Sequence, residues 1–173
     1  MDEERRKYLL QKMGAFCAYR ERHAEEIRQK MRRMQCPPEE IDYVLGRLEE
    51  EGLIDEARYA RAFAHDRFRF HQWGRIKIDA HLREKGIDRH DRHQALQSEV
   101  DPEAYRETLY DLLQKKLRQL DPALNALDDP NIRAKMHRYA AQKGYEAELV
   151  RSLTEQVLAE AAVHPSTNDH DAR

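Results

Sequence analysis

Apolar residues recur every three or four positions along almost the whole chain, which is the spacing of one face of an α-helix. Leu9, Met13 and Cys17 mark the first such face, and Ile27 and Met31 mark the second. Alternating runs of β-branched residues, which would indicate strands, do not occur, and valine is scarce. The pattern predicts an all-α protein with about nine helices.

Aspartate and proline residues predict where several of these helices begin. Asp55 and Asp88 stand immediately before helical patterns, where a carboxylate can accept a hydrogen bond from the first unpaired amides. Pro38 and Pro102 occupy the first turn of two other predicted helices, a position that proline favours. These residues predict four helix starts.

A short unit occurs three times along the chain. Its clearest copy places Ile78 and Leu82 on one helix face and then ends the helix at Gly86. The other copies end at Gln35 and Gly144. The ends lie roughly fifty to sixty residues apart, which suits a three-helix unit. We therefore predict tandem three-helix repeats over residues 1–52, 53–100 and 101–162, followed by a disordered tail over 163–173.

Gln35 is the exception among the three helix ends. A residue other than glycine in the left-handed conformation is strained by roughly 1 kcal/mol. Two prolines, Pro37 and Pro38, follow closely. We therefore expect a somewhat different turn at Gln35.

The composition of the 173 residues is very polar for a compact globule. Charged residues make up 37% of the chain, the mean hydropathy is −1.00 and the formal net charge is −2. This composition fits helical layers with much surface and little core. The two cysteines, Cys17 and Cys36, lie at apolar positions and form no metal pattern. With no apolar run long enough to cross a membrane and no signal peptide, we expect a soluble, cytoplasmic protein.

Charge is unevenly distributed along the chain. Residues 58–85 contain eight Lys or Arg against three acids, whereas residues 101–173 contain ten against thirteen. A basic middle on a near-neutral chain predicts an oriented interaction surface. The candidate residues for binding a partner or DNA are Arg58, Arg61, Arg67, Arg69, Trp73, Arg75, Lys77, Arg83 and Lys85.

Each of these residues also has a purely structural interpretation. A single arginine can belong to a solvated face with ion pairs worth roughly 0.2–0.5 kcal/mol each. The neighbouring aromatic residues with helical spacing are Tyr59, Phe63, Phe68 and Phe70, and this spacing predicts that most of these four are core. Trp73 precedes a helix-breaking glycine, so it either fastens the repeat or faces a partner.

Catalytic and metal-binding patterns are poor. The phosphate-loop, nucleophile-elbow and zinc-protease motifs are missing. His90 and His93 are three residues apart, but no further ligand completes a metal site with the usual spacing. We expect no catalytic residue, no metal, no cofactor and no small-molecule substrate.

Two ordered motifs resemble those of a known family. The run Glu50–Ala60, EEGLIDEARYA, resembles the EEGLIDDxRYA motif of the RecX regulatory proteins. The run Trp73–Ile87 is similar to the central GxxxIxxxLxxKGI motif of that family, and the segment Arg22–Met31 is similar to its first-repeat helix, with His23 where the family commonly has serine. The resemblance covers roughly residues 15–155.

The resemblance implies both a fold and a function. RecX proteins consist of tandem three-helix repeats in a curved, elongated body, and they are not enzymes. They bind in the groove of the RecA–DNA filament and inhibit the ATPase, recombinase and strand-exchange activities of RecA in DNA repair and the SOS response. Direct contact with single- or double-stranded DNA is left open.

Two other interpretations remain beside this one. The first is a stand-alone DNA-binding module that acts without RecA, since three-helix units can place one helix in a groove of DNA. The second is a generic helical scaffold or an enzyme of unknown type, against which the missing phosphate and nucleophile motifs argue.

Overall fold

The structure is a computed structural model that describes residues 2–163. All regular elements in this range are α-helices, which confirms the predicted fold class. The nine helices are α1 (Glu3–Tyr19), α2 (Ala24–Arg33), α3 (Pro38–Glu50), α4 (Glu56–Arg69), α5 (Arg75–Glu84), α6 (Arg89–Glu99), α7 (Pro102–Leu120), α8 (Pro130–Lys143) and α9 (Ala147–Val163). None of these helices is long and apolar enough to span a membrane.

The predicted helix starts are confirmed by their hydrogen bonds and positions. Asp55 and Asp88 each accept a bond through Oδ1 from the backbone N–H three residues later, at 2.8 and 2.9 Å. Asp101 does the same for α7 at 2.9 Å, with Pro102 at the first position of that helix. These bonds satisfy amides that would otherwise lack a partner at the helix start.

The turn at Gln35 differs from the expectation. Gln35 has φ 58°, in the same left-handed region as Gly86 at 82° and Gly144 at 93°. The N–H of Cys36 bonds to the carbonyl of Met31 at 3.1 Å, five residues back, and the turns at the two glycines make the equivalent bond. The prediction of a different turn was therefore wrong, because the hydrogen bonds of the turn outweigh a strain of about 1 kcal/mol.

Close contacts divide the chain into two compact units. Unit 1 comprises the described residues up to Asp66 together with Asp79–Glu99, and unit 2 comprises Arg67–Ile78 together with the described residues from Val100 onward. In unit 1, α3 packs against both α1 and α2, and their apolar faces form a core that includes Leu9, Ile27 and Leu48.

In unit 2, the helices α7, α8 and α9 pack against one another. Leu109, Leu113 and Met136 are fully buried there. The division into repeats at 52/53 and 100/101 stays a prediction. The predicted tail begins at Val163, which is the last residue of α9, and the rest of that tail lies outside the described residues.

Candidate functional site

The nine predicted binding residues divide between the two units. Unit 1 contains Arg58, Arg61, Arg83 and Lys85, and unit 2 contains Arg67, Arg69, Trp73, Arg75 and Lys77. The five residues of unit 2 all lie in Arg67–Ile78, which we call the basic segment. This segment contains no aspartate or glutamate.

In unit 1, the four cations have different surroundings. Arg58 donates to Glu21 at 2.7 Å and to the carbonyl of Gly52 at 3.2 Å, so it joins the start of α4 to other parts of its own unit. Arg61 and Arg83 are exposed. Lys85 lines a polar cavity of about 290 Å³ together with His23, Glu25, Glu26, Gln29, His81 and Glu84.

His23 is the buried titratable group of that cavity. It is 4% exposed, and its ring lies 5.0 Å from that of Tyr59. Burial lowers the pKa of the His23 imidazole, while Glu26, 3.4 Å away, opposes this change. His23 precedes α2 without making a side-chain capping bond, so its ring acts as part of the packing.

In unit 2, two cationic side chains lie against the indole ring of Trp73. The guanidinium carbon of Arg67 lies 5.3 Å from the centroid of the Trp73 ring, and Nζ of Lys77 lies 4.4 Å from it. Both distances are typical of cation–π contacts, which contribute roughly 0.5–1 kcal/mol at exposed sites. These contacts restrain the side chains of Arg67 and Lys77. Trp73 itself is half-buried.

The start of α5 bonds directly to the end of α8. The N–H of Gly74 donates to the carbonyl of Lys143 at 2.8 Å, and the N–H of Ile76 donates to the carbonyl of Gly144 at 3.1 Å. The first amides of one helix and the last carbonyls of another have no partner within their own helices. The head-to-tail contact satisfies both sets and places opposite ends of two helix dipoles together.

Two glycines permit this close approach. A Cβ atom on Gly74 would overlap the carbonyl group of Gly144, and one on Gly144 would overlap the Cβ of Lys77 and lie 2.6 Å from its nitrogen. Gly144 also requires the left-handed conformation. The repeat pattern identified Gly144 as a helix end, but only the fold gives Gly74 its partner.

Side-chain hydrogen bonds also link the basic segment to the region around the end of α8. The hydroxyl of Tyr145 donates to the carbonyl of Gln72 at 3.2 Å, and Nζ of Lys143 donates to the carbonyl of His71 at 3.2 Å. Lys77 in turn donates through Nζ to the carbonyl of Gln142 at 3.4 Å. The backbone between α4 and α5 is thus held in one conformation.

Arg75 has mainly internal contacts. Its backbone N–H donates to Oη of Tyr105 at 3.0 Å, and its guanidinium lies 4.1 Å from the centroid of the same ring. Burial strongly raises the pKa of the Tyr105 hydroxyl, which therefore stays protonated and donates to Glu146 at 2.7 Å. Of the five candidates in the basic segment, Arg75 is therefore the one that is most involved in structure.

The four aromatic residues in α4 and immediately after it differ in their burial. Tyr59 and Phe68 are buried and Phe63 is half-buried, but Phe70 is 74% exposed. Phe70 is the exception to the prediction that most of these four residues are core, because α4 ends at Arg69 and Phe70 leaves the helical face on which its spacing placed it. Ile76 is also 56% exposed, and the sequence reasoning did not select it.

The described residues offer no evident metal site. Within 2–163, no group of three or more His, Cys, Asp or Glu side chains is arranged to hold a metal ion. Cys17 and Cys36 are buried, as their apolar positions predicted, and burial raises the pKa of both thiols. A high thiol pKa makes both poor nucleophiles.

Two ranges of the chain match the models of known protein domains. Residues 55–96 match the second three-helix domain of RecX, and residues 103–153 match the third three-helix domain of RecX. The "Regulatory protein RecX" of Pseudomonas savastanoi pv. phaseolicola is 34% identical over 79% of this chain and 83% of the relative. The protein of the same description from Amycolatopsis mediterranei is 30% identical over 91% of this chain and 87% of the relative.

Two solved structures have a similar fold. One, described as a regulatory protein RecX, superposes with a TM-score of 0.76 at 23% identity and covers 87% of this chain and 71% of its own. The other, RecX from Lactobacillus salivarius, gives the same TM-score at 18% identity and covers 88% of this chain and 96% of its own. At these identities the structures support the fold alone.

Proposed function

Because this chain belongs to the RecX family of regulatory proteins, we propose that it binds the filament that the RecA recombinase forms on DNA. It lies in the groove of the filament and inhibits ATP hydrolysis, recombination and strand exchange. It acts in the cytoplasm, in DNA repair and the SOS response, and has no catalytic activity of its own.

Family membership is the observation that carries this proposal. Of the two motifs that resemble RecX, Trp73–Ile87 lies wholly within the range that matches the second three-helix domain, and Glu50–Ala60 overlaps the start of that range. The basic segment adds physical support, because it holds four Lys or Arg without any acid on a backbone fixed by hydrogen bonds. Cations on a rigid scaffold suit a charged partner, since little conformational freedom is lost on binding.

The inhibition follows from binding one state of the filament. A protein that contacts neighbouring recombinase subunits stabilises the subunit spacing to which it binds and opposes the change of spacing that accompanies nucleotide hydrolysis. Its volume in the groove also blocks the entry of a second duplex. Both effects require the filament and neither requires a catalytic group.

We rank the nine candidate residues for this proposed role by their exposure and contacts. Arg61, Arg69 and Arg83 are exposed, so they remain the most available cations. Arg67 and Lys77 lie against Trp73, and Arg58 and Arg75 have internal partners. Trp73 and Lys85 are half-buried and complete the set.

The first prediction concerns the ATPase activity of the recombinase. Purified protein added to RecA on single-stranded DNA with ATP should lower hydrolysis at or below a one-to-one ratio with RecA. Steady-state phosphate release measures this effect, and filament length by electron microscopy provides a second readout. Unchanged hydrolysis together with unchanged filament length would refute the proposed function.

Charge reversal tests which cations contribute. Arg67→Glu, Arg69→Glu and Lys77→Glu in one variant should weaken the inhibition, and Arg69→Glu alone should weaken it by a smaller factor without disturbing Trp73. Arg151→Glu, at an exposed position of α9, is the matched control and should inhibit like wild type. Circular dichroism shows whether helicity is retained. A triple variant that loses its helicity would mean that these residues are structural, and the Arg69 variant then decides the question.

A further inference from the structure

Two apolar side chains of the basic segment are exposed. Phe70 is 74% exposed and Ile76 is 56% exposed, and only six positions separate them. Even a fully extended chain of that length spans only about 20 Å. Both side chains therefore fit beneath one partner, because a standard protein interface covers roughly 800 Å² on each side.

The backbone that carries these two residues is held firmly. The carbonyls of His71 and Gln72 accept bonds from Lys143 and Tyr145, and the N–H of Ile76 itself donates to Gly144 at 3.1 Å. Apolar groups on a fixed backbone lose little entropy when a partner covers them. Isolated exposed apolar residues are common and need no explanation, but these two lie within about 20 Å of each other on a backbone that is held by hydrogen bonds.

The nearby cations indicate what kind of partner fits. Arg69, Lys77 and Lys143 accompany the two apolar residues, and the basic segment contains no carboxylate. A partner of complementary charge is acidic. An acidic protein surface and a nucleic acid both meet this condition, so the apolar residues must decide between them.

These details favour a protein partner. Ile76 has no aromatic face on which a base could stack, whereas stacking residues for single-stranded nucleic acid are aromatic. The formal net charge of −2 on the whole chain also disfavours general binding to phosphates.

We propose that Phe70 and Ile76 are the apolar anchor of a protein-docking surface, with Arg69, Lys77 and Lys143 at its rim. The partner surface is an apolar pocket bordered by carboxylates. This inference rests on the proposed function and deepens it, since it assigns the contact to the recombinase subunits of the filament and not to its DNA. Aromatic residues and arginine are enriched at protein interfaces, and Phe70 and Arg69 are adjacent residues of these two types.

Alanine substitutions at the two anchor positions test this proposal. The assays use full-length protein and measure affinity for immobilised RecA filaments by biolayer interferometry and affinity for a fluorescent oligo(dT) by anisotropy. Phe70→Ala should weaken filament binding roughly tenfold or more, the range of a hot-spot residue, and Ile76→Ala by roughly threefold or more. Neither should change oligo(dT) binding by more than about twofold.

Tyr19→Ala is the matched control, because Tyr19 is an aromatic residue that is 86% exposed at the end of α1 and lies outside the basic segment. It should bind the filament within about twofold of wild type. All three residues are exposed, so circular dichroism and thermal unfolding should be unchanged in every variant.

Each outcome separates this inference from the proposed function. If wild type inhibits RecA but both anchor variants bind the filament as tightly, the anchor is wrong and the proposed function stands. If Phe70→Ala weakens oligo(dT) binding as much as filament binding, the ring contacts DNA and the protein-docking proposal is overturned. If wild type itself neither binds nor inhibits the filament, the proposed function fails and the anchor assignment fails with it.

Discussion

Single residues determine how the helices of this protein end and where its exposed side chains lie. Gln35 takes the left-handed conformation that Gly86 and Gly144 take at equivalent turns, with φ 58°. It is exposed and keeps the hydrogen bonds of the turn, so its strain is not offset by any buried side-chain contact. At the same scale, the end of α4 one residue before Phe70 moves an aromatic ring from the predicted core to the surface.

Gln35→Gly should therefore stabilise the protein. Removing the strain favours the native state by about 1 kcal/mol, and the greater freedom of glycine in the unfolded chain reduces that gain to roughly 0.5 kcal/mol. Urea denaturation should show a higher midpoint with an unchanged slope. The reciprocal control is Gly86→Gln, at φ 82° with open space around the new Cβ, which should destabilise the protein by a similar amount. A lower midpoint for Gln35→Gly would contradict this account.

At the scale of helices, the start of α5 and the end of α8 meet in one contact. The first amides of α5 donate to the last carbonyls of α8, and Gly74 and Gly144 allow the two backbones to meet. This contact joins the basic segment to α8 within unit 2, although α4 is the helix that precedes α5 in the chain. The orientation of Trp73, Phe70 and Ile76 therefore depends on a helix that begins more than fifty residues later.

Gly74→Ala should disrupt this contact. The added methyl group would overlap the carbonyl of Gly144, so the backbone must shift, at a cost of about 2–3 kcal/mol as for an overpacked core. Gly46→Ala is the control, since Gly46 lies within α3 with nothing close to a new Cβ. It should stabilise the protein by about 0.5–1 kcal/mol. Thermal unfolding compares the two variants, and a Gly74→Ala protein as stable as wild type would show that the contact is dispensable.

At the scale of the whole molecule, charge distribution matters more than total charge. The chain carries a formal net charge of −2, yet residues 58–85 hold eight Lys or Arg against three acids. Four of these cations lie in unit 2 and four in unit 1. A molecule with this distribution is expected to bind through a local surface and not as a general polyanion binder.

Salt dependence checks this expectation and separates the proposed function from a stand-alone DNA-binding module. A protein that neutralises six to ten phosphates loses roughly 10³–10⁵ in affinity between 50 and 200 mM salt. We expect filament affinity to fall by roughly tenfold or less over the same range, and bare oligo(dT) to bind weakly throughout. Anisotropy and interferometry at four salt concentrations measure both slopes. Tight, steeply salt-dependent binding to bare DNA without RecA would favour the stand-alone module.

The local features were predictable from the chain alone because they depend on neighbours in sequence. Apolar spacing predicted helices such as α1 and α2, and Asp55 and Asp88 marked two helix starts through bonds to amides three residues later. The two RecX-like motifs identified the family because they are long and ordered. The uneven charge along the chain likewise required no fold.

Contacts between residues distant in sequence were decided only by the tertiary structure. Nothing near Gly74 predicts that its amide bonds to Lys143, or that Tyr105 receives the backbone N–H of Arg75. These contacts depend on how α5, α7 and α8 pack, because hydrogen bonds and excluded volume act through space and not along the chain. For the same reason, only the structure separates the internally bonded Arg75 from the exposed Arg69 and shows that Phe70 and Ile76 are exposed.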